Sequence, residues 1–155
     1  MKNPLVWQIK TFKQLSLDEL YDALKLRIDV FVVEQTCYYP DLDNLDRHPE
    51  TRHIFLYDEQ GEMIAYARVL AQGVCYQTYP AIGRVIIAEQ ARGKGVAHQL
   101  IQKSLTVCSE FFPNQNIKIS AQEHLEAFYH SHGFNKCSEM YLEDGIPHIS
   151  MIKTA

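Results

Sequence analysis

Apolar residues recur at helical spacing in two long segments of the chain, and short apolar runs typical of strands lie around them. The first helical segment starts after Ser16, where Ser-Leu-Asp-Glu forms a capping box with Glu19. Its apolar face is predicted to comprise Leu17, Leu20, Tyr21, Leu24, Ile28, Phe31 and Val32. The second helix follows Gly95 and is predicted to end before Pro113. Its apolar face is predicted to comprise Ala97, Leu100, Ile101, Leu105, Cys108 and Phe111.

Short apolar runs predict the strands and their connections. The runs are residues 5–9, 53–57, 63–70, 85–87 and 117–121. Asp58-Glu59-Gln60-Gly61 predicts a hairpin turn between the second and third of these runs. A third helix, which carries Tyr129, is predicted to end at Gly133, and residues 134–141 and 148–153 are predicted to form a closing hairpin. The order β-α-ββ-β-α-β-α-ββ predicts a mixed α/β fold with a β-α-β unit between hairpins.

Residues 34–52 have no periodicity and are predicted to form an irregular loop. Long loops in small domains are often functional. The acidic run 41–46 could favour a cationic acceptor, although such runs are usually solvated. It does not fit a calcium-binding loop, because Leu45 stands at the fifth ligand position and Arg52 at the twelfth.

Composition restricts the class of protein. The 155 residues, of which 46% are hydrophobic, are expected to form one domain, residues 1–155. The formal charge of −4 argues against a nucleic-acid-binding surface, so the partner is expected to be a small molecule or a protein. No apolar run is long enough for a membrane span or a secretory signal, and we expect a cytoplasmic protein without membrane partners. The four cysteines form no C-x-x-C pair and are expected to be reduced thiols.

A glycine-bracketed basic loop, Arg92-Gly93-Lys94-Gly95, joins the apolar run 85–87 to the second helix. Amides at a helix start favour an anion, and glycines let the backbone approach it closely. A Walker loop would need Ser or Thr after Lys94, where Gly95 stands. A dinucleotide fingerprint starting at Gly93 would need a small residue at His98. Neither nucleotide motif fits this loop.

Arg92-x-x-Gly95-x-Ala97 resembles the Arg/Gln-x-x-Gly-x-Gly/Ala motif of the GNAT acetyltransferase superfamily. A second block, from Ala121 through Tyr129-x-x-x-Gly133-Phe134, resembles the family's second cofactor-side segment. Nearly the whole chain resembles the ElaA-like branch of this family. The segments that carry this resemblance are Leu26-Arg27-x-x-Val30-Phe31-Val32-Val33-Glu34-Gln35, Ala65-Tyr66-Ala67-Arg68 and Glu143-Asp144-Gly145-Ile146-Pro147-His148.

This resemblance implies a fold and a cofactor. The fold would be the GNAT α/β (α+β) fold, with a mixed, mostly antiparallel central sheet, splayed parallel strands at the cofactor site and helices on both faces. The cofactor would be acetyl-CoA. Its pyrophosphate would meet the backbone of Arg92, Gly93, Lys94, Gly95, Val96 and Ala97. Its pantetheine arm would pair with main-chain groups of Val85, Ile86 and Ile87. Gln122 stands where many members have a pantetheine-contacting asparagine, and it is the residue here that would contact the arm.

The resemblance also implies direct acyl transfer to an amine, with Tyr129 as the acid that protonates the leaving thiolate. An alkyl amine with a pKa of about 10.4 is mostly protonated at pH 7, so a base is useful. Glu34 is the leading candidate, because it ends the first helix and borders the long loop. Glu123, His148 and His53 are rivals. The residues predicted to contact the acceptor are His53, Arg68, Arg84 and His148.

Two other functions stay open at this stage. The chain could be a non-catalytic acyl-CoA-binding or regulatory module that kept the pocket, or an acyltransferase that uses a longer acyl donor. No metal site is expected, because the histidines show no i,i+4 pair on a helix face. The acceptor amine, on a small molecule or a protein, is not identified by the sequence, and a homodimer is left open.

Overall fold

The computed structural model describes residues 5–155 and contains three α-helices and eight strands. The helices are α1 (Leu17–Arg27), α2 (Val96–Phe111) and α3 (Glu126–His130). The strands are β1 (Gln8–Lys10), β2 (Arg52–Tyr57), β3 (Met63–Leu70), β4 (Ala81–Ile87), β5 (Ile117–Gln122), β6 (Phe134–Lys136), β7 (Tyr141–Glu143) and β8 (Ile146–Lys153). No helix of residues 5–155 has the length and apolar character needed to cross a membrane.

The strands form one mixed sheet in the order β1-β2-β3-β4-β5-β8-β6, and β7 also pairs with β8. β4 and β5 are parallel, and all other pairs are antiparallel. This confirms the predicted mixed, mostly antiparallel sheet. The first strand of the predicted closing hairpin, 134–141, is instead two short strands, β6 and β7, which pair with successive parts of β8.

β3 lies at the centre of the core. All eight of its residues are buried. Alternate residues of a strand point to opposite faces of a sheet, so both faces of β3 are covered. α1 and α2 both pack against this strand. The four cysteines, at positions 37, 75, 108 and 137, are free thiols, as predicted.

The capping box that starts α1 is confirmed, because the Glu19 amide donates to Ser16 Oγ at 3.0 Å and the Ser16 amide donates to Glu19 Oε1 at 2.9 Å. The predicted apolar face of this helix is wrong in part. Leu17 and Tyr21 are 87% and 71% exposed. The buried residues are Ala23, Leu26 and Arg27. Because Arg27 is buried with its carboxylate partners, α1 presents to the core a different face from the predicted one.

α2 ends at Phe111, before Pro113 as predicted. Its buried residues are Leu100, Ile101, Ser104, Val107 and Cys108. The core position predicted for Phe111 is wrong, because this side chain is 46% exposed. The Arg52 guanidinium lies 4.4 Å from the centre of the Phe111 ring and covers it from outside the core.

A π-helix, Ile28–Glu34, continues directly from α1. The Gln35 amide donates to the Val30 carbonyl at 3.0 Å, which is the i→i+5 bond of this helix type. π-Helical turns are rare and occur frequently at functional sites. The chain then runs irregularly to β2, apart from a short 3₁₀ turn at Leu45–Arg47, as the missing periodicity predicted.

Candidate active site

β4 and β5 separate soon after they meet. Their only registered pair among the described residues is Ala81 with Lys118, where the Lys118 amide donates to the Pro80 carbonyl at 3.0 Å. A cavity of about 310 Å³ lies at the resulting gap and is lined by residues of both strands, including Gly83, Val85, Ser120, Ala121 and Gln122. The predicted splaying of the parallel strands is therefore confirmed.

A β-bulge accompanies this separation. Gly83 pairs with Arg68 and Ile86 pairs with Tyr66, so β4 has one residue more than β3 between the two pairs. Such a bulge bends the strand that carries it. Within it, Arg84 has a φ of +51°, a left-handed conformation that costs a non-glycine residue about 1–3 kcal/mol. The Arg84 side chain compensates, because Nε donates to Asp41 Oδ1 at 2.9 Å.

The glycine loop precedes α2 in a conformation suited to glycine. Gly93 and Gly95 have φ values of +77° and +79°, and a Cβ on either would meet no heavy atom within 4 Å. Gly95 is the N-cap residue of α2 and supplies no side-chain cap to its first amides. Lys94 is exposed beside them. The exposed loop thus presents a helix start, a cation and open space in one place, which is a favourable environment for an anion.

Arg92 is tied to two other parts of the chain. Its Nε donates to the Ile87 carbonyl at 3.0 Å, and its Nη2 donates to Glu34 Oε2 at 2.9 Å. Glu34 lines a separate groove of about 510 Å³ between the π-helix and the end of β4. This placement gives the Glu34 carboxylate a cationic partner in the loop.

Tyr129 lies on α3 and lines the cavity, with 7% of its surface exposed. Phe128 and Phe134 contact its ring edge-on, with centroid distances of 5.0 and 6.0 Å. Burial raises the pKa of the Tyr129 phenol to about 12. The phenol therefore keeps its proton at neutral pH and can act as a proton donor.

The remaining predicted cofactor contacts are divided between cavity and core. Val85 lines the cavity, whereas the Ile86 side chain is buried in the core. Val96 and Ala97 are half-buried in the first turn of α2. Gln122 Nε2 donates to Gln35 Oε1 at 3.2 Å, and both side chains line the cavity. This bond joins β5 to the residue that follows the π-helix.

Three arginines and three aspartates form an interleaved ionic network beside the cavity. The members are Arg27, Arg68, Arg84, Asp41, Asp43 and Asp46. Asp41 and Asp46 are 2% and 7% exposed, so the expectation of a solvated acidic loop is wrong. Burial alone would raise the pKa of Asp43, but the hydrogen bond and charge of Arg68 outweigh it and hold this pKa at about 2. The acidic run neutralises the chain's own arginines.

The four residues predicted to contact the acceptor lie in different environments. Arg68 and Arg84 line the cavity while engaged with the aspartates, and His148 also lines it. His53 is only 1% exposed, and both of its ring nitrogens are hydrogen-bonded. Nδ1 lies 2.7 Å from the hydroxyl of Tyr66, and Nε2 lies 3.1 Å from the carbonyl oxygen of Asp46. His53 therefore fills a structural position.

A polar cluster around His148 includes residues that the sequence analysis did not single out. His148 Nε2 lies 3.3 Å from Glu143 Oε2, and Glu143 Oε1 accepts a 3.3 Å hydrogen bond from Ser120. Ser120 Oγ lies 2.5 Å from the Tyr141 hydroxyl. These residues belong to three neighbouring strands, β5, β8 and β7. Their proximity follows from strand register, which cannot be deduced from a single sequence.

Comparisons with known proteins agree with this geometry. The family described as Acetyltransferase (GNAT) domain matches residues 28–155. ElaA of Escherichia coli strain K12 is 43% identical over 147 residues, 95% of each chain. The crystal structure of E. coli ElaA matches with a TM-score of 0.90 and 41% identity over 97% of this chain and 99% of that chain.

Two further crystal structures share the fold. An acyl-CoA N-acyltransferase from Pseudomonas aeruginosa matches with a TM-score of 0.91 and 40% identity, over 97% of this chain and all of that chain. An aminoglycoside 6'-N-acetyltransferase complexed with coenzyme A matches with a TM-score of 0.70 at 14% identity, over 95% and 96% of the two chains. The chain therefore belongs to the GNAT family of acyltransferases, which use acyl-CoA, and groups with the ElaA-like branch of that family.

Proposed function

We propose that this acyltransferase transfers the acetyl group of acetyl-CoA directly to a primary amine. The observation that carries the proposal is the gap between β4 and β5, which opens into the cavity that Tyr129 lines. The glycine loop that starts α2 follows β4 in the chain, and we infer one path from this loop along the gap to Tyr129. Such a path would accept a long thioester that carries its negative charge at one end and its reactive group at the other.

The residues present fit acetyl-CoA in charge and shape. The first turn of α2 and Lys94 would hold the pyrophosphate, because the loop glycines leave the approach open. β4 and β5 leave an open gap between them, so their facing edges could pair with an extended arm. Acetyl-CoA, when bound, supplies the activated acyl thioester. Gln122 and Gln35 would close the cavity beside it.

Tyr129 supports catalysis over simple binding. A buried phenol that retains its proton can donate it to a thiolate leaving group, and a non-catalytic binding module has no need of such a donor. The nearby Phe128 and Phe134 rings hold the phenol in place. We assign Tyr129 as the general acid of the transfer.

The test is a pair of glycine variants that share the same backbone cost. Gly95→Val and Gly61→Val both replace a glycine with a φ near +80° and open space around it, but Gly61 lies in the turn between β2 and β3. Both variants should lose similar stability, because a left-handed non-glycine residue costs about 1–2 kcal/mol. Only Gly95→Val should lose acetyl-CoA binding in titration calorimetry.

Turnover is then measured as thiol release from acetyl-CoA with a panel of primary amines. Amine-dependent release supports transfer, and release that is zero with every amine, despite acetyl-CoA binding, would indicate a binding module. Competition by longer acyl-CoA thioesters distinguishes an acetyl donor from a longer one. Normal acetyl-CoA affinity in Gly95→Val would contradict the assigned site.

A further inference from the structure

We propose that His148 and Glu143 form a proton relay that deprotonates the acceptor amine, with His148 accepting the proton in the cavity and Glu143 delivering it to solvent. The inference rests on the proposed function, direct acyl transfer to a primary amine. It assigns the base to the hairpin that β7 and β8 form, whereas the sequence favoured Glu34, which is bound to Arg92.

His148 occupies a central position in the C-terminal part of the sheet. On β8 it is registered with Gln122 of β5 on one side and with Tyr141 of β7 on the other. The side chain lines the cavity that Tyr129 also lines, and the residue as a whole is 8% exposed. The imidazole and the Tyr129 phenol thus line the same cavity.

The hydrogen bonds of His148 determine where its ring carries a proton. Nδ1 lies 2.7 Å from the carbonyl oxygen of Ile146, which can only accept, so Nδ1 must be the donor. In the neutral ring, Nε2 then presents a lone pair. Glu143 Oε2 lies 3.3 Å from this nitrogen and is also an acceptor. A proton that Nε2 accepts from an amine in the cavity can therefore pass over this short distance to the carboxylate.

The outer end of the relay reaches water. The Glu143 side chain is 50% exposed, whereas that of His148 is 10% exposed. Ser120 donates to the other carboxylate oxygen of Glu143, and the Tyr141 ring stacks on the imidazole with a centroid distance of 6.3 Å. These contacts hold both groups in register, so a proton accepted in the cavity has a short route to solvent.

The acidic run and His53 are engaged in contacts of their own. The carboxylates of the acidic run are paired with Arg27, Arg68 and Arg84. Both ring nitrogens of His53 are bonded within the core. The relay therefore joins a cavity-lining base to a solvent-exposed carboxylate without disturbing the ionic network.

The proton balance of the reaction requires such a route. An alkylammonium loses two protons when its nitrogen forms the amide bond and the carbon–sulfur bond breaks. The thiol product retains one proton, which Tyr129 supplies and regains from the nitrogen. The second proton leaves through His148 and Glu143 to solvent, so the overall reaction releases one proton.

The relay is tested with two nucleophiles that differ in basicity. n-Propylamine is almost entirely protonated at pH 7 and needs a base, whereas methoxyamine is unprotonated and does not. Glu143→Gln and His148→Gln should each slow thiol release from acetyl-CoA with n-propylamine by about 100-fold. With methoxyamine the rates should stay within about threefold of wild type. Glu139→Gln, an exposed carboxylate in the segment before β7, is the matched control and should behave as wild type with both probes.

Equal slowing with both nucleophiles would indicate a structural role and overturn the relay, as would unchanged rates with n-propylamine. Imidazole ¹⁵N NMR of the wild-type protein gives a readout independent of turnover. We expect the neutral His148 ring to be protonated at Nδ1. A ring protonated at Nε2 would overturn the relay but would leave the proposed function standing. Failure of the wild-type protein to bind acetyl-CoA would overturn the proposed function itself.

Discussion

The Glu34 carboxylate accepts a 2.9 Å hydrogen bond from Arg92, a residue 58 positions away. This bond joins the end of the π-helix to the glycine loop, and Arg92 also donates to the carbonyl of Ile87 at the end of β4. The Arg92 and Glu34 side chains are 42% and 39% exposed, so solvent screens their interaction. Such a pair contributes about 0.2–1 kcal/mol, which is small for stability but sufficient to bias a loop position.

Glu34→Gln is expected to raise the KM for acetyl-CoA by about two- to fivefold, because a loop contact worth up to about 1 kcal/mol is weakened. The kcat should change by less than about twofold, since Glu34 is not the base in our assignment. Steady-state kinetics at low and high salt measure both constants, and salt should reduce the difference between variant and wild type. A loss of about 100-fold in kcat would restore Glu34 as the base.

Tyr129→Phe should lower kcat by about 100-fold and leave the acetyl-CoA affinity close to wild type, because only the proton donor is removed. Tyr21→Phe, on the exposed surface of α1, is the control and should be silent. Because burial raises the Tyr129 pKa to about 12, the wild-type rate should show no alkaline decline due to this phenol up to about pH 10. A decline near pH 9 that disappears in Tyr129→Phe would contradict this assignment.

Asp41→Asn is expected to lower the free energy of unfolding by about 3–5 kcal/mol, because it removes the buried negative charge that pairs with both Arg27 and Arg84. The Asp41 carboxylate accepts from Arg27, Arg84 and Tyr39 at 2.8, 2.9 and 2.6 Å. Urea unfolding measures the change. Asp29→Asn, which removes an exposed partner of Lys25, should leave the urea midpoint unchanged. Equal effects of the two substitutions would show that the network adds no stability.

Stability should fall in two steps as the pH is lowered. Burial lowers the pKa of His132 and His53 below the ordinary value of 6.5, so below about pH 6.5 the unfolded chain binds protons that the folded chain does not. Asp43, with a pKa of about 2 against an ordinary 3.8, loses its contribution between about pH 4 and pH 2. Urea unfolding between pH 8 and pH 2 tests both steps. His132→Gln should reduce the first step and leave the second unchanged.

Local sequence features predicted the parts of the fold that depend on neighbouring residues. The capping box at Ser16, the turn at Gly61 and the glycine loop before α2 are decided within a few positions of the chain, and the structure has all three. The parallel pair of β4 and β5 was implied by the resemblance to the GNAT family.

The ionic network and the His148 cluster could not be predicted in the same way. Arg27 and Arg84 meet Asp41 across 14 and 43 positions, and a run of aspartates has the same local pattern whether it is solvated or buried. Arginine at position 27 was therefore not expected on the buried face of α1. The pairing of His148 with Tyr141 depends on the register of β7 on β8, which no residue pattern specifies.

The sheet is joined at its middle by one registered residue pair, Ala81 with Lys118. The halves on either side, β1 to β4 and β5 to β8, are each held by antiparallel ladders of their own. In the proposed function, an extended ligand lying in the gap would take the place of a missing strand and link the two ladders. Substrate binding would then also complete the sheet, and the ligand-bound protein would be more stable than the free protein.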